Sequence, residues 1–352
     1  MRIRLYRYDA FTEVPGRGNP AGVVTDAGGL TEEQMQRIAA KAGYSETAFV
    51  LPSESADLRL RYFTPGQEVN LCGHATVGSL YCLKERGLLA ADSFTVETKA
   101  GLLPMSAREI DGRNQICMQQ ADYQETAFCG SVKDLAESLG LEETEIDTSL
   151  PIVYGCTGLW TLLVPIRSLD SFRRMRSENS RFPEVFKEMP RSSVHPFCLQ
   201  AEREGADLHA RHFSSPYSGT IEDPVTGTAS GVLGSYYRKH ICRDPEKAGL
   251  LKIEQGLEIG KDGIVTVAAS PYGEGPATIY GTAVFTEEYE ITLYTKKDSG
   301  PCRIPARVFV TIGERGIIKA EEETACFRLT CHCSIRRRTG TNSQFSTGST
   351  AT

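Results

Sequence analysis

The chain has 352 residues, 40% of them hydrophobic and 24% charged, and a net charge of −6. That is the make-up of an ordinary soluble globular protein, with length for two domains or one large one. The acidic balance offers no basic face for nucleic acid, and no run of about 18 apolar residues is present to span a membrane.

The N-terminal MRIRLYRYDAFTEVPG has two early arginines and no apolar run of signal-peptide length. Seven of the 11 cysteines precede Phe285, mostly in apolar settings such as Tyr81-Cys82-Leu83, and there is no CxxC pair. They read as reduced, buried thiols in a cytoplasmic protein.

In chain order, IRLYRYDAF alternates as a strand and AGVVTDA is a short apolar strand. Thr31-Glu32-Glu33 opens a helix with a hydroxyl cap and acids in its first turn. That helix carries Met35, Ile38 and Ala39 at helical spacing and stops at Gly43. SETAFVLP and DLRLRYF are strands. After them, CGHATVGSLY starts a helix, and FTVETKAG, LLPMSAREI and NQICMQQA are strand-like. A second round begins near Leu150. PIVYGCTGLWTLLVPI predicts a strand pair, Arg173 to Met189 a solvated helix, and HPFCLQA and LHARHFSSP strands. EDPVTGTASGVLGSYYRKH then opens a second small-residue helix, and LLKIEQG, GIVTVAAS and ATIYGTAVF close the pattern.

The two rounds read as a pseudo-repeat. Gly73-His-Ala-Thr and Gly227-Thr-Ala-Ser each begin a helix rich in small residues, after a stretch ending in Phe63 or Phe213 and a loop with a proline. Small residues on several faces let strands approach from all sides. The fold class is therefore α+β, with two pseudo-symmetric lobes, each with strands wrapped around a central helix. The lobes are expected at 1–125 and 126–290. The stretch 291–352 departs from the pattern and ends in a Ser/Thr/Gly-rich segment expected to be disordered. Its Cys331-His332-Cys333 lacks the second ligand pair of a zinc site, and Arg336 to Arg338 are too few for a nucleic-acid patch.

A helix start offers free N–H groups and the positive end of the dipole, which suits a carboxylate. Gly73 and Gly227 stand at these starts, and Thr228 adds a hydroxyl. Candidate acid–base groups are Glu46 at the head of a strand, His74, and Glu222 and Asp223 before the second helix. Each also has an ordinary structural reading: a capping histidine, an N-cap or loop acid, a solvated strand-edge glutamate. Two of them sit at equivalent positions of a repeated unit, and that shifts the balance toward chemistry.

Together DAFTEVPGRGNPAGVV, SETAFV, FTPGQEVNLCGHATVG and EDPVTGTASGVL, followed by GTAVF, resemble the PhzF family of phenazine-biosynthesis-like isomerases over roughly residues 1–290. The resemblance implies the diaminopimelate epimerase-like fold, an active site between the lobes, a homodimer, and no cofactor or metal. It implies Glu46 as the acid–base residue, with His74 and Asp223 around a small carboxylate substrate. Asn19, Gly73, Gly227 and Thr228 are implied as substrate-binding. Protonation by Glu46 calls for a raised pKa, expected from burial beside Ala48 and Phe49.

Two departures stand out. Thr226-Gly227-Thr228-Ala229-Ser230 replaces the family's usual TGSAH, and the tail exceeds the usual family length. Cys72 sits where related epimerases place one of two catalytic thiols, but the second helix start, Asp223-Pro224-Val225, has no cysteine. Cys72 is therefore expected to be mostly structural. An epimerase pairing Cys72 with a non-thiol partner, and a non-catalytic binding protein on the same fold, are the alternatives.

Overall fold

The strand alternation of the first residues becomes β1 (Arg2–Ala10), antiparallel to β2 (Asn19–Val24) with Tyr6 opposite Val23. The computed structural model describes residues 1–110, 112–244 and 249–293, and the backbone alone of 335–338. α1 (Glu32–Ala42) follows β2. Its Thr31 hydroxyl accepts from the Gln34 amide, while the Gln34 side chain accepts from the Thr31 amide. This reciprocal box satisfies two of the free groups at the helix start, and Gly43 ends the helix at φ 72°. β3 (Glu46–Leu51) then lies parallel to β2. β4 (Leu58–Phe63) is antiparallel to β3 and pairs with the short β5 (Glu68–Val69). α2 (Gly73–Glu85) leads to β6 (Ser93–Thr98), which is parallel to β4. β7 (Gly101–Ile110) and β8 (Arg113–Asp122) finish the lobe as an antiparallel meander.

α2 is the lobe's central helix. His74 through Leu80, with Cys82 and Leu83, are buried. A helix covered on all sides must be apolar or small on all sides. A Cβ at Gly78 would already touch Tyr8 at 3.5 Å. The buried hydroxyls of Thr76 and Ser79 donate back to the carbonyls of Cys72 and Ala75, both at 2.6 Å.

The second lobe repeats this order. After β9 (Gln124–Ala127) and α3 (Val132–Ser138), β10 (Val153–Cys156) and β11 (Trp160–Pro165) are antiparallel. α4 (Leu169–Arg174) and α5 (Phe182–Val185) precede β12 (Ser193–Cys198), which is parallel to β11. β13 (Leu208–Ala210) is antiparallel to β12. α6 (Gly227–Tyr236) leads to β14 (Leu251–Gln255), parallel to β13, and β15 (Gly263–Ala268) and β16 (Pro276–Gly281) form the meander. The sequence β1–β2–β3–β4–β6–β7–β8 thus matches β10–β11–β12–β13–β14–β15–β16 strand for strand, including both parallel pairs. α6 matches α2: Gly227 and Ala229–Tyr236 are buried, and a Cβ at Gly234 would overlap Val267 at 2.5 Å.

The lobes join where β16 pairs with β8, and where β17 (Ala283–Thr292) returns to β1, with Ala10 opposite Ala283 and Arg2 opposite Thr292. β18 (Ile335–Arg338) lies antiparallel outside β17. The Cys331-His332-Cys333 stretch and the Ser/Thr/Gly-rich end fall outside the described residues. No helix among the described residues is long and apolar enough to cross a membrane.

Three local expectations change. Arg173 to Met189 is not one solvated helix but the end of α4, a 3-10 turn at Asn179–Arg181, and α5. The Asn179 amide donates to the carbonyls of Ser214 and Ile221, and Pro183 starts a new helical turn. Phe172, Met175, Phe182 and Phe186 are buried in a second core with Tyr154 and Leu162. LHARHFSSP is a strand only to Ala210, with Phe213 forming isolated bridges to Val194 and Glu222. α3 had no counterpart in the sequence reading, although Ser131 caps it by accepting from the Asp134 amide.

Candidate active site

Glu46 heads β3, Cys72 is the N-cap of α2 and His74 is that helix's second residue. Pairing of β3 with β4, and the turn through β5 back to α2, bring the three together. His74 Nε2 lies 3.2 Å from Glu46 Oε2 and 3.4 Å from Ser45 Oγ. His74 Nδ1 lies 3.4 Å from Cys72 Sγ. Thr76, which bonds the Cys72 carbonyl, also bonds the Tyr62 hydroxyl at 2.7 Å, so the cap is held from beneath.

Burial alone would raise the Glu46 carboxyl. The hydrogen bond and charge of His74, helped by Ser45 and Cys72, outweigh burial and hold it below its ordinary value. The expected raised pKa is therefore corrected: the shift runs downward. Burial opposes the charged form of His74, but its partners Cys72 and Glu46 hold its pKa well above the ordinary value. Burial pushes the Cys72 thiol up despite the nearby imidazole. The carboxyl of Glu46, held below its ordinary value, is the standing anion beside His74. The resting cluster is a carboxylate–imidazolium pair with a thiol at its edge.

At the second helix start the acid is spoken for. Asp223 accepts from the Asn19 side-chain amide at 2.8 Å and from the Thr226 hydroxyl at 2.6 Å. Asn19 also donates to the Val225 carbonyl, and Gln255 donates to the Asp223 carbonyl while accepting from the Thr226 amide. Glu222 forms a two-pronged ion pair with Arg211, at 2.8 and 2.7 Å, which takes it out of the acid–base set. Asn19 precedes Ala21 by two residues on β2, and Ala21 pairs with Glu46. Asp223 thus docks two residues along and one strand across from Glu46, roughly 8 Å of backbone.

The glycines differ. A Cβ at Gly73 would meet nothing within 4 Å among the described residues, so that start is open. A Cβ at Gly227 would run into Ile279 at 2.7 Å and the Phe11 ring at 2.9 Å. Packing alone thus requires a small residue at Gly227. Thr228 is half-buried, and Thr157 donates to its carbonyl at 3.5 Å. Neither α2 nor α6 has a side-chain cap among the described residues, which leaves first-turn N–H groups available at both.

Two buried residues escaped the sequence reading. Gln255 ends β14, and nothing local marks it as a partner of Asp223. Phe11 takes φ 64°, a rare region for a bulky residue, and its backbone bonds Thr282 and Ile264 while its ring fills the space at Gly227 and Gly281. An open hollow of about 490 Å³ on the outer face of β6, β7, β8 and β16, with Arg108, Cys117 and Tyr280 in its wall, includes none of the site residues.

Two strand-wrapped helices, one in each of two lobes of the same strand order, make the diaminopimelate epimerase-like fold. The family model for phenazine biosynthesis-like proteins matches residues 8–288, and the chain belongs to this PhzF family. It is 52% identical over 283 residues to an uncharacterized isomerase, YfhB, of Bacillus subtilis, covering 80% of this chain and 96% of the relative. It is 29% identical over 275 residues to the trans-2,3-dihydro-3-hydroxyanthranilate isomerase of Pseudomonas aeruginosa, covering 77% and 92% of the two chains. The crystal structure of a PhzF-family phenazine biosynthesis protein of Bacillus anthracis superposes with a TM-score of 0.80 at 52% identity, covering 83% of this chain and all of that one. A hydroxyproline epimerase from Agrobacterium vitis, 14% identical with a TM-score of 0.54, shares the fold alone.

Proposed function

We propose that this isomerase moves a proton between carbons of a small carboxylic acid, with Glu46 as the group that takes and returns it. The carrying observation is the buried Glu46–His74 pair at the open start of α2. The resting carboxylate is the base. His74 steadies it, and the same carboxyl, once protonated, is the acid that delivers to the second carbon. Substrate binding displaces water and adds a negative carboxylate, both of which push Glu46 upward and favour its protonated form. The substrate carboxylate is placed at the free N–H groups of the helix starts, with Gly73, Gly227 and Thr228 contributing. Asp223 and Asn19 position the second start across the lobe boundary. A cytoplasmic homodimer belongs to this reading, and light scattering of the purified protein checks the dimer.

The identity of the characterised Pseudomonas relative supports a ring or chain carboxylate as the substrate class. The test is NMR in deuterated water with a panel of cyclic and amino carboxylic acids. Deuterium entering at a carbon with wild-type protein and not with Glu46→Gln supports the reading. Exchange that survives Glu46→Gln and disappears in Cys72→Ser transfers the role to the thiol. Two observations weigh against that second reading: burial pushes the Cys72 thiol up, and Asp223 has both carboxylate oxygens engaged.

A further inference from the structure

The two lobes are related by a two-fold axis that the strand register locates. β8 and β16 are equivalent strands, and Met118 pairs with Met105 on β7 as Ile279 pairs with Val267 on β15. Met118 and Ile279 also lie opposite each other, and the flanking pairs Gln119–Thr278 and Cys117–Tyr280 exchange under the rotation. The chain leaving each lobe supplies an edge strand to the other: β9 pairs with β10, and β17 with β1. Each contact that the first lobe makes on the second therefore has an equivalent place on the first.

One half of this junction is filled and the other is not. Residues 11–18, between β1 and β2, dock on the second lobe. Phe11 accepts from the Ile264 amide, Gly18 donates to the Asp262 carbonyl, and Arg17 bonds the Asp262 carboxylate at 2.8 Å. Asn19 follows and holds Asp223. Counted back from the parallel pairs Ala21–Glu46 and Thr161–Ser193, the counterpart of Asn19 is Leu159. The counterpart of Asp223, four residues before the helix glycine, is Val69. Between β10 and β11 the docking loop is cut to Gly158 alone. A Cβ at Gly227 would meet the Phe11 ring at 2.9 Å, and one at Gly263, which opens β15, the Phe11 carbonyl at 2.5 Å. At their counterparts Gly73 and Gly101 it would meet nothing within 4 Å among the described residues. Leu159 is 70% exposed, and Leu102, the counterpart of Ile264, is 53% exposed.

We propose that this vacated half of the junction takes the carbon skeleton of the substrate, and that Leu159 is a specificity-determining residue for it. A carboxylate at the start of α2 puts the rest of the acid in the volume that Phe11 and its loop occupy over α6. Leu159 and Val69 stand where the other half has the polar Asn19–Asp223 tether. The wall is therefore apolar and suits a ring or branched aliphatic body over a polar one. An exposed leucine alone is ordinary; this one stands at the position that its twin uses to cross the lobe boundary. The inference rests on the carboxylate placement given under Proposed function, and its test reads that placement separately.

The experiment is NMR of the full-length protein, labelled with ¹⁵N and at the leucine methyls, titrated with benzoate and with acetate. Benzoate should move the Gly73 amide, which reports the carboxylate, and the Leu159 methyls, assigned by their loss in Leu159→Ala. Acetate, which has no skeleton beyond a methyl, should leave the Leu159 methyls in place. Leu159→Ala should weaken benzoate binding about tenfold. Leu199→Ala, an exposed leucine just past the far end of β12, should leave it unchanged. If benzoate moves Gly73 but not the Leu159 methyls, or binds Leu159→Ala as tightly as wild type, the proposal is overturned and the carboxylate placement stands. If benzoate leaves Gly73 unmoved, the placement falls and the proposal with it.

Discussion

The starts of α2 and α6 occupy equivalent places in two lobes of the same strand order, yet they have become different devices. At α2 the glycine is open, and the charged groups face one another without being locked. At α6 the glycine is packed against Phe11 and Ile279, and the aspartate is fixed by Asn19 and Thr226. A repeated scaffold thus supplies two helix dipoles, and the side chains around them divide the work. One start carries a carboxylate and a histidine beside an open glycine, and the other holds its aspartate by hydrogen bonds.

The sharpest way to break this contrast is to remove the chemistry at α2. Glu46→Gln should lower proton exchange by about 10²-fold or more, the scale of general acid–base catalysis, with little change in fold. NMR exchange and circular dichroism on the same sample check both halves. Asn19→Ala attacks the other start. It leaves an oxygen of Asp223 and the Val225 carbonyl without their donor and should cost about 1–3 kcal/mol in urea unfolding.

The glycines give a matched pair. Gly227→Ala forces a methyl against Phe11 and Ile279 and should cost about 1–3 kcal/mol. Gly73→Ala meets open space and should change stability by no more than about 0.5 kcal/mol, while weakening exchange if a carboxylate sits there. Equal losses of stability at the two glycines would erase the distinction between an open start and a packed one.

A smaller effect separates the lobes by pH. Buried His209 lies between Glu254 and Glu258, at 2.7 and 2.8 Å. Burial works against its charge, but the two carboxylates win and raise it to about 9. Its folded pKa is above the unfolded value of about 6.5, so its contribution to stability is full below that value. The contribution is lost as pH rises through about 9. The melting temperature should fall over that window in the wild type, and the fall should flatten in His209→Gln.

Much of this was legible in the sequence because it was local. The pseudo-repeat and the Thr31 and Gly43 ends of α1 follow from short motifs and spacing, and the shared site of Glu46 and His74 was implied by the resemblance to the PhzF family. What was not legible depended on distant partners. Burial of Glu46 beside Ala48 and Phe49 suggested a raised pKa, but His74, 28 residues on, reverses the direction. The partners of Asp223 come from β2 and β14, so neither Asn19's interlobe bond nor Gln255 could be read from EDPVTG. The broken helix around Asn179 has the same cause: its polar surface hid four large side chains that belong to a second core.

The central claim is that Glu46 rests as a carboxylate paired with a charged His74. It is tested most directly by ¹⁵N NMR of the histidine rings in wild type and Glu46→Gln. The account predicts that His74 keeps its proton to a pH above the ordinary histidine range and loses it at lower pH in Glu46→Gln. A His74 that titrates in the ordinary range in the wild type, or the same titration in both proteins, would contradict it.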